Sequence, residues 1–148
     1  MSEWWSIVML ISGALFVAGV FPIVWERAPA WRTADPATFR VEFAYTLRRM
    51  DLLQPALAFA CAVSSVGFAF SASGTERTLA VLAAACFGAI LVGSWLGLVP
   101  IQHRLVDPGS DLSAADVERL RTRWLGGHLM RTVVALVAFV LLVVAAVA

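Results

Sequence analysis

Four long apolar stretches alternate with three connections of unequal length and charge. The stretches cover about residues 6–25, 52–71, 78–100 and 129–148, and the last one contains Arg131 as its only charged residue. Because an α-helix rises about 1.5 Å per residue, each stretch is long enough to cross a hydrocarbon core of about 30 Å. The pattern therefore predicts an all-α fold, namely a four-helix bundle that is integral to a membrane.

The composition supports a membrane protein and argues against a soluble domain. Hydrophobic residues make up 61% of the 148 residues, charged residues make up 14%, and the mean hydropathy is +0.85. Soluble domains are nearer about 45–50% apolar and about 25% charged. The spans leave no room for a second domain, so we expect one domain over residues 1–148 whose main partner is the lipid bilayer. A net charge of +1 argues against nucleic acid as a partner.

The arginines are distributed unevenly among the connections. Residues 26–51 carry five arginines and residues 101–128 carry four, whereas the second connection has only Arg77. Basic residues resist translocation, so the two Arg-rich connections are predicted to be cytoplasmic and both termini to lie outside the plasma membrane. The alternative is that these arginines line a site and therefore misreport the topology.

Short amphipathic helices are predicted in both long connections. Asp35 followed by Pro36 is typical of a helix start. The apolar residues after it recur on one helical face, at Phe39, Phe43, Leu47 and Met50. This helix leads into the second span, where Pro55 is expected to cause a kink.

The third connection carries its own helix signals. Pro108-Gly109 predicts a turn, and Ser113 with Asp116 resembles a capping box. Val117, Leu120 and Trp124 then share one apolar face. Gly126-Gly127 leaves two alternatives open, because span four either continues this helix or begins afresh after the glycines.

Two patterns bear on how the spans pack. Small residues recur every four positions in the third span, which predicts close helix packing or a homo-oligomer through Ala85, Ala89, Gly93 and Gly97. The runs that begin at Pro22 and Pro100 resemble each other, so two related helical hairpins are a further possibility. Cys61 and Cys86 lie in apolar runs and are expected to act as small hydrophobic residues.

Residues suited to chemistry gather where four helices end on the Arg-rich side. They are Trp25, Gln102, His103, Arg104, Arg123, Trp124, His128 and Arg131. Trp124, His128 and Arg131 are spaced i, i+4, i+7 and should share one helical face. The competing interpretation is structural, with tryptophans as interfacial anchors and arginines that reach toward lipid headgroups.

Several familiar kinds of site lack support in the sequence. It contains no Gly-rich phosphate loop, C-x-x-C, H-E-x-x-H or nucleophile elbow. No closed metal site is expected. Two histidines could nevertheless ligate one haem, so a bis-histidine haem protein through His103 and His128 stays a third hypothesis.

One segment suggests a family. The run Leu98-Val99-Pro100-Ile101-Gln102-His103-Arg104, followed by Arg123-Trp124, His128 and Arg131, resembles the anthrone-oxygenase-like family of small four-helix membrane proteins. The third span of that family commonly ends in a V-P-I-N-N-like run. Gln102-His103 stand here in place of the two amides.

The resemblance implies a membrane oxygenase that oxidises an apolar aromatic substrate, such as an anthrone, with O₂ and without a metal, flavin or other cofactor. It implies His128 as the base, Arg131 and Arg104 as groups that stabilise the developing anion, and Trp124 as a stacking platform. Substrate-binding roles then extend to Trp25, Gln102, His103 and Arg123. The alternative from another class is a non-catalytic membrane subunit or scaffold that binds lipid or a partner protein.

Overall fold

The computed structural model describes residues 2–50 and 52–148, without the side chains of Ser2 and Arg49. Its helices are α1 (Ser2–Pro22), α2 (Ala28–Thr33), α3 (Pro36–Met50), α4 (Leu53–Ser71), α5 (Gly74–Gly93), α6 (Val99–Val106) and α7 (Ala114–Val147). A π-helical turn, π1 (Ile23–Arg27), joins α1 to α2, and a second one, π2 (Ser94–Leu98), joins α5 to α6. Asp51, in the predicted junction between the α3 helix and the second span, lies outside the described residues.

The four predicted spans are confirmed. Apolar helical runs long enough to cross a membrane cover Glu3–Thr33, Leu53–Ser71, Gly74–Val106 and Ala114–Val147. In space α1 packs against α4, α4 against α5, α5 against α7, and α7 against α1. The protein is therefore a multi-pass membrane protein whose spans form a closed four-helix bundle.

Small side chains allow the bundle helices to approach closely. Ala80 and Ala83 of α5 and Ala135 and Ala138 of α7 are fully buried. By contrast, the predicted small-residue stripe is exposed along its whole length, at Ala85, Ala89, Gly93 and Gly97. The stripe thus does not hold the monomer together, and its role in a homo-oligomer stays a prediction.

Both long connections fold onto the same end of the bundle. There α2, α3, α6 and residues 114–125 of α7 form a layer that we call the cap. The face predicted for α3 is confirmed, since Phe39 and Phe43 are fully buried. Phe43 meets the Trp124 ring edge-on with centroids 4.8 Å apart, and Trp31 lies within 6.1 Å of the same ring. An aromatic core therefore fixes α2 and α3 on α7.

The predicted helix starts are also confirmed. The Asp35 carboxylate accepts hydrogen bonds from the backbone N–H groups of Thr38 and Ala37. These bonds, chiefly that from Thr38, lower the pKa of Asp35 below its usual value. At α7 the Ser113 hydroxyl accepts from the Asp116 N–H, while the Asp116 carboxylate accepts from the Ser113 N–H, which completes a capping box.

Two open questions about helix continuity are resolved. Helix α7 runs unbroken through Gly126-Gly127 for 34 residues, so the fourth span continues the cap helix. Helix α4 starts afresh at Leu53, with Pro55 in its first turn, where a missing N–H costs least. Pro55 therefore costs α4 no helical hydrogen bond.

Arg121 holds α2 to α7 within the cap. The sequence groups it with arginines that contact lipid headgroups, but only 4% of it is exposed. Its Nη1 donates to the carbonyls of Trp31 and Ala34 at 2.7 Å each, and its Nη2 pairs with Glu118. Because these carbonyls end α2, Arg121 caps that helix.

The two π turns support the predicted hairpin repeat but change its alignment. Each turn is followed by a short helix whose second residue is proline, Pro29 after π1 and Pro100 after π2. A proline ring clashes with the carbonyl four residues earlier, and a wider turn relieves that clash. The equivalent prolines are therefore Pro29 and Pro100, whereas the sequence comparison paired Pro22 with Pro100.

Candidate functional site

A cavity of about 320 Å³, which we call the main cavity, lies between the cap and the adjoining ends of the bundle helices. Its wall is largely apolar. Four of the residues that the sequence singled out line it, namely Gln102 and His103 from α6 and Trp124 and Arg131 from α7. Helix α7 extends about 24 Å from Arg131 to Val147, close to the thickness of a hydrocarbon core, so the cavity lies near the cap-side boundary of the membrane.

Trp124, His128 and Arg131 share one face of α7, as predicted. The Trp124 and His128 rings are stacked, with centroids 4.8 Å apart and planes 17° apart. Both side chains are 1% exposed. The stack fixes the imidazole against the aromatic core of the cap.

The hydrogen bonds of His128 define its tautomer. Nε2 lies 3.1 Å from the Val20 carbonyl, which can only accept, and Nδ1 lies 2.7 Å from Nη2 of Arg131, which can only donate. His128 is therefore neutral, with its proton on Nε2 and its Nδ1 lone pair directed at the guanidinium. It is not part of the main cavity wall. This arrangement orients Arg131 and leaves neither imidazole nitrogen available to a ligand.

Among the described residues that line the main cavity, Arg131 alone carries a permanent charge. Arg131 also lines two neighbouring cavities, so all three cavities border on this residue. An intramembrane cation in an apolar environment exerts a strong field on a bound ligand. The sequence leaves two positions open for Arg131, directed into the bundle or toward lipid headgroups, and the lining of these cavities favours the first.

Besides His128, three predicted residues lie outside the main cavity wall. Trp25 is 76% exposed and stacks on Phe21 at the outer surface. Arg104 is exposed. Arg123 is exposed too, and lines a groove of about 400 Å³ that it shares with Arg131. The structure thus brings together His103, Gln102, Trp124 and Arg131, with His128 behind them.

The sequence analysis missed Gln54. This residue is 6% exposed and lines the main cavity, and neither atom of its amide has a hydrogen-bond partner among the described residues. Nε1 of Trp124 is also buried and, in the same part of the chain, without a partner. The available signal was the position of Gln54 next to Pro55 in a stretch without charges, because polar groups inside a membrane are often functional.

A second cavity adjoins the main one on the bundle side. It measures about 380 Å³, and both cavities are lined by Gln54, Pro55, Ser94, Val99 and Arg131. The rest of its wall is apolar and includes two side chains that are exposed on the outside of the bundle, Val92 and Trp95. We call it the bilayer-side cavity.

The described residues contain no group of three or more His, Cys, Asp or Glu side chains placed to hold a metal ion. Both cysteines are free, and Cys61 is buried, as predicted. For a haem held by His103 and His128, the latter would have to give up its contact with Val20 or with Arg131. The geometry therefore gives no support to a haem between these two histidines.

The chain was compared with known proteins. A model of the anthrone oxygenase family matches residues 43–141, about two-thirds of the chain, including α4 to α6 and most of α7. Comparisons with curated proteins and with solved structures gave no match. On the strength of the family match, the chain belongs to the anthrone oxygenase family.

Proposed function

We propose that this protein oxidises an apolar aromatic substrate of the anthrone type with O₂ in the main cavity, without a metal or flavin. The observation that carries the proposal is the pairing of one oriented guanidinium, Arg131, with one imidazole, His103, in an otherwise largely apolar wall. The family match supports it. A substrate of this kind partitions into the bilayer and would reach the cavity from there.

The reaction needs one base and one site that stabilises an anion. Loss of a methylene proton from an anthrone gives a delocalised enolate, which passes one electron to O₂. The resulting radical and superoxide combine at the same carbon, and a proton completes a hydroperoxide. Loss of the second C–H proton with cleavage of the O–O bond gives the quinone carbonyl and water. One oxygen atom thus enters the product and the other leaves as water.

Arg131 is the group that we propose stabilises the enolate oxygen. Its charge is permanent, and the low dielectric of a cavity beside the membrane strengthens the interaction. His128 acts through Arg131, because its Nδ1 accepts a hydrogen bond from the guanidinium and fixes the direction of the charge. His128 is then a positioning residue.

His103 is the base in this proposal. The resemblance to the family implied His128, but both of its ring nitrogens are engaged. The His103 side chain lies on the wall, is exposed, and makes no hydrogen bond or ion pair with another described residue. An imidazole is well suited to accept a carbon-bound proton near neutral pH. Arg104 lies outside the cavity wall and has no role in this mechanism.

The experiment is oxygen uptake by the full-length protein in lipid nanodiscs with anthrone as substrate. R131Q should lower kcat/KM by on the order of 100-fold, as expected when an oriented charge that stabilises an oxyanion is removed. The matched control is R123Q, an exposed arginine on the same helix, which should change kcat/KM less than about threefold. Equal activity in wild type and R131Q, or no uptake by the wild type above protein-free nanodiscs, would contradict the proposal.

A non-catalytic membrane subunit is the second candidate. It is favoured by the exposed stripe on α5 and π2, a surface of small residues suited to another helix. In that case G93L should abolish co-migration with a partner or a second copy. Oxygen uptake would be absent from the wild type, which distinguishes this candidate from the first.

A further inference from the structure

Gln54 places a buried amide beside the main cavity. The residue is 94% buried, and neither Nε2 nor Oε1 has a hydrogen-bond partner among the described residues. Such a group lowers stability unless something else supplies the missing bonds. Protein side chains that stay unpaired in a cavity wall are typical of a site whose partner is a ligand or an ordered water.

The position of Gln54 favours a ligand. It lines both the main cavity and the bilayer-side cavity, at the place where they adjoin. Trp124, whose Nε1 is the second unpaired donor, also lines the main cavity. One molecule in the main cavity therefore lies beside both side chains.

We infer that Gln54 determines specificity by hydrogen bonding to the polar edge of the bound aromatic molecule. The complementary ligand carries an acceptor for Trp124 and for Nε2 of Gln54, and a hydroxyl that can donate to Oε1. This means a flat aromatic ring system bearing a carbonyl and a hydroxyl. The aromatic ring system in this inference rests on the proposed function. The pattern of donors and acceptors does not, because it is deduced from the polar atoms of Gln54 and Trp124.

A substitution at Gly19 offers a second, independent way to displace the Gln54 amide. A Cβ atom at position 19 would lie 1.8 Å from Nε2 of Gln54, so an alanine there must displace the amide. Gly19 itself lines neither cavity. A change at Gly19 can thus alter binding only through its neighbours, chiefly Gln54, whose amide lies closest.

Binding tests the inference without any turnover. The probes are 2-hydroxyanthraquinone, which has no methylene to oxidise, and anthracene, which has the same three rings and no polar atom. Each is titrated into full-length protein in nanodiscs, with protein-free nanodiscs as the reference for partition into lipid. In wild type the quinone should bind more tightly than anthracene. Q54M and Q54L should reduce that preference about fivefold to tenfold, the worth of a neutral hydrogen bond, and leave anthracene affinity unchanged.

Two glycine variants complete the design. G19A should reduce the preference as Q54M does, whereas G88A, a helical glycine with open space around its Cβ, should not. Because no described residue pairs with the amide, Q54M should melt at the wild-type temperature or above it. Retention of the full preference in Q54M would overturn the inference and leave water as the partner of the amide.

The two proposals can fail separately. If anthrone is not oxidised but quinone binding depends on Gln54, the proposed function is wrong and the specificity role stands. If anthrone is oxidised while Q54M and G19A keep the full preference, the specificity role is wrong and the function stands.

Discussion

The two histidines take different parts at the scale of single residues. His128 is enclosed between Trp124, Val20 and Arg131, and His103 lies on the cavity wall. A base and a positioning residue can both be essential, so loss of activity alone does not separate them. The pH dependence of the rate does, because only the base contributes its own titration.

We therefore predict that H103Q and H128Q both lower kcat/KM but differ in their pH profiles. H103Q should lose the acid limb of the profile, because the group that must be unprotonated is gone. H128Q should keep the acid limb of the profile, with a lower kcat/KM at every pH, because Arg131 has lost its hydrogen-bond acceptor. The measurement is oxygen uptake with anthrone from pH 5 to 9. An acid limb that vanishes in H128Q and persists in H103Q would return the base to His128.

At the residue scale the sequence predicted one helix face well and the others poorly. Trp124, His128 and Arg131 lie on an unbroken α-helix, so their spacing alone fixes their common direction. Trp25 lies in π1, and Gln102 and His103 follow π2. A π turn inserts about one extra residue, which rotates everything after it by about 100° relative to a regular helix. A pattern based on 3.6 residues per turn cannot foresee that Trp25 faces outward.

At the scale of elements, the close contact between α7 and π2 shapes the main cavity. A Cβ at Gly127 would lie 2.7 Å from Cδ2 of Leu98, whereas a Cβ at Gly126 would meet open space. Leu98 ends π2, is buried, and lines the cavity. Gly127 thus allows the helix to approach a wall residue of the site.

The pair G126A and G127A tests this contact. G126A should raise the free energy of unfolding by about 0.5–1 kcal/mol, the gain in helix propensity over glycine. G127A makes the same gain but must displace Leu98, which costs about 1–3 kcal/mol, and it should weaken binding of 2-hydroxyanthraquinone. Thermal unfolding and titration in one detergent measure both effects. Identical stability and affinity in the two variants would show that Leu98 moves freely.

The helices themselves were more predictable from the sequence than the way their faces are directed in the bundle. Span number, the α3 helix and the α7 capping box follow from hydropathy, periodicity and local hydrogen bonding, all of which are local in sequence. The outward direction of the Ala85 to Gly97 stripe could not be predicted. Small residues permit close packing but do not specify whether the neighbour belongs to the same chain.

For the molecule as a whole, Arg121 joins two distant parts of the chain. It joins the first connection to α7 across 87 or more residues of sequence. We predict that R121M lowers the free energy of unfolding by about 2–4 kcal/mol, because two hydrogen bonds from a charged donor are lost and two carbonyls are left unpaired. R119M is the control, since Arg119 forms only an exposed ion pair with Asp116, worth about 0.3–0.5 kcal/mol. Equal losses in the two variants, measured by denaturation in one detergent, would remove Arg121 from this role.

The cavity lies between the two hairpins, and the equivalent positions that face it differ in chemistry. Ile23 begins π1, and its equivalent Ser94 begins π2. Trp31 is the fourth residue of α2, and its equivalent Gln102 is the fourth residue of α6. All four line the main cavity. At these equivalent positions the first hairpin contributes the apolar Ile23 and Trp31, and the second contributes the polar Ser94 and Gln102, so a bound molecule whose two edges differ in polarity would favour one orientation. Attack by oxygen on such a molecule would then be regioselective.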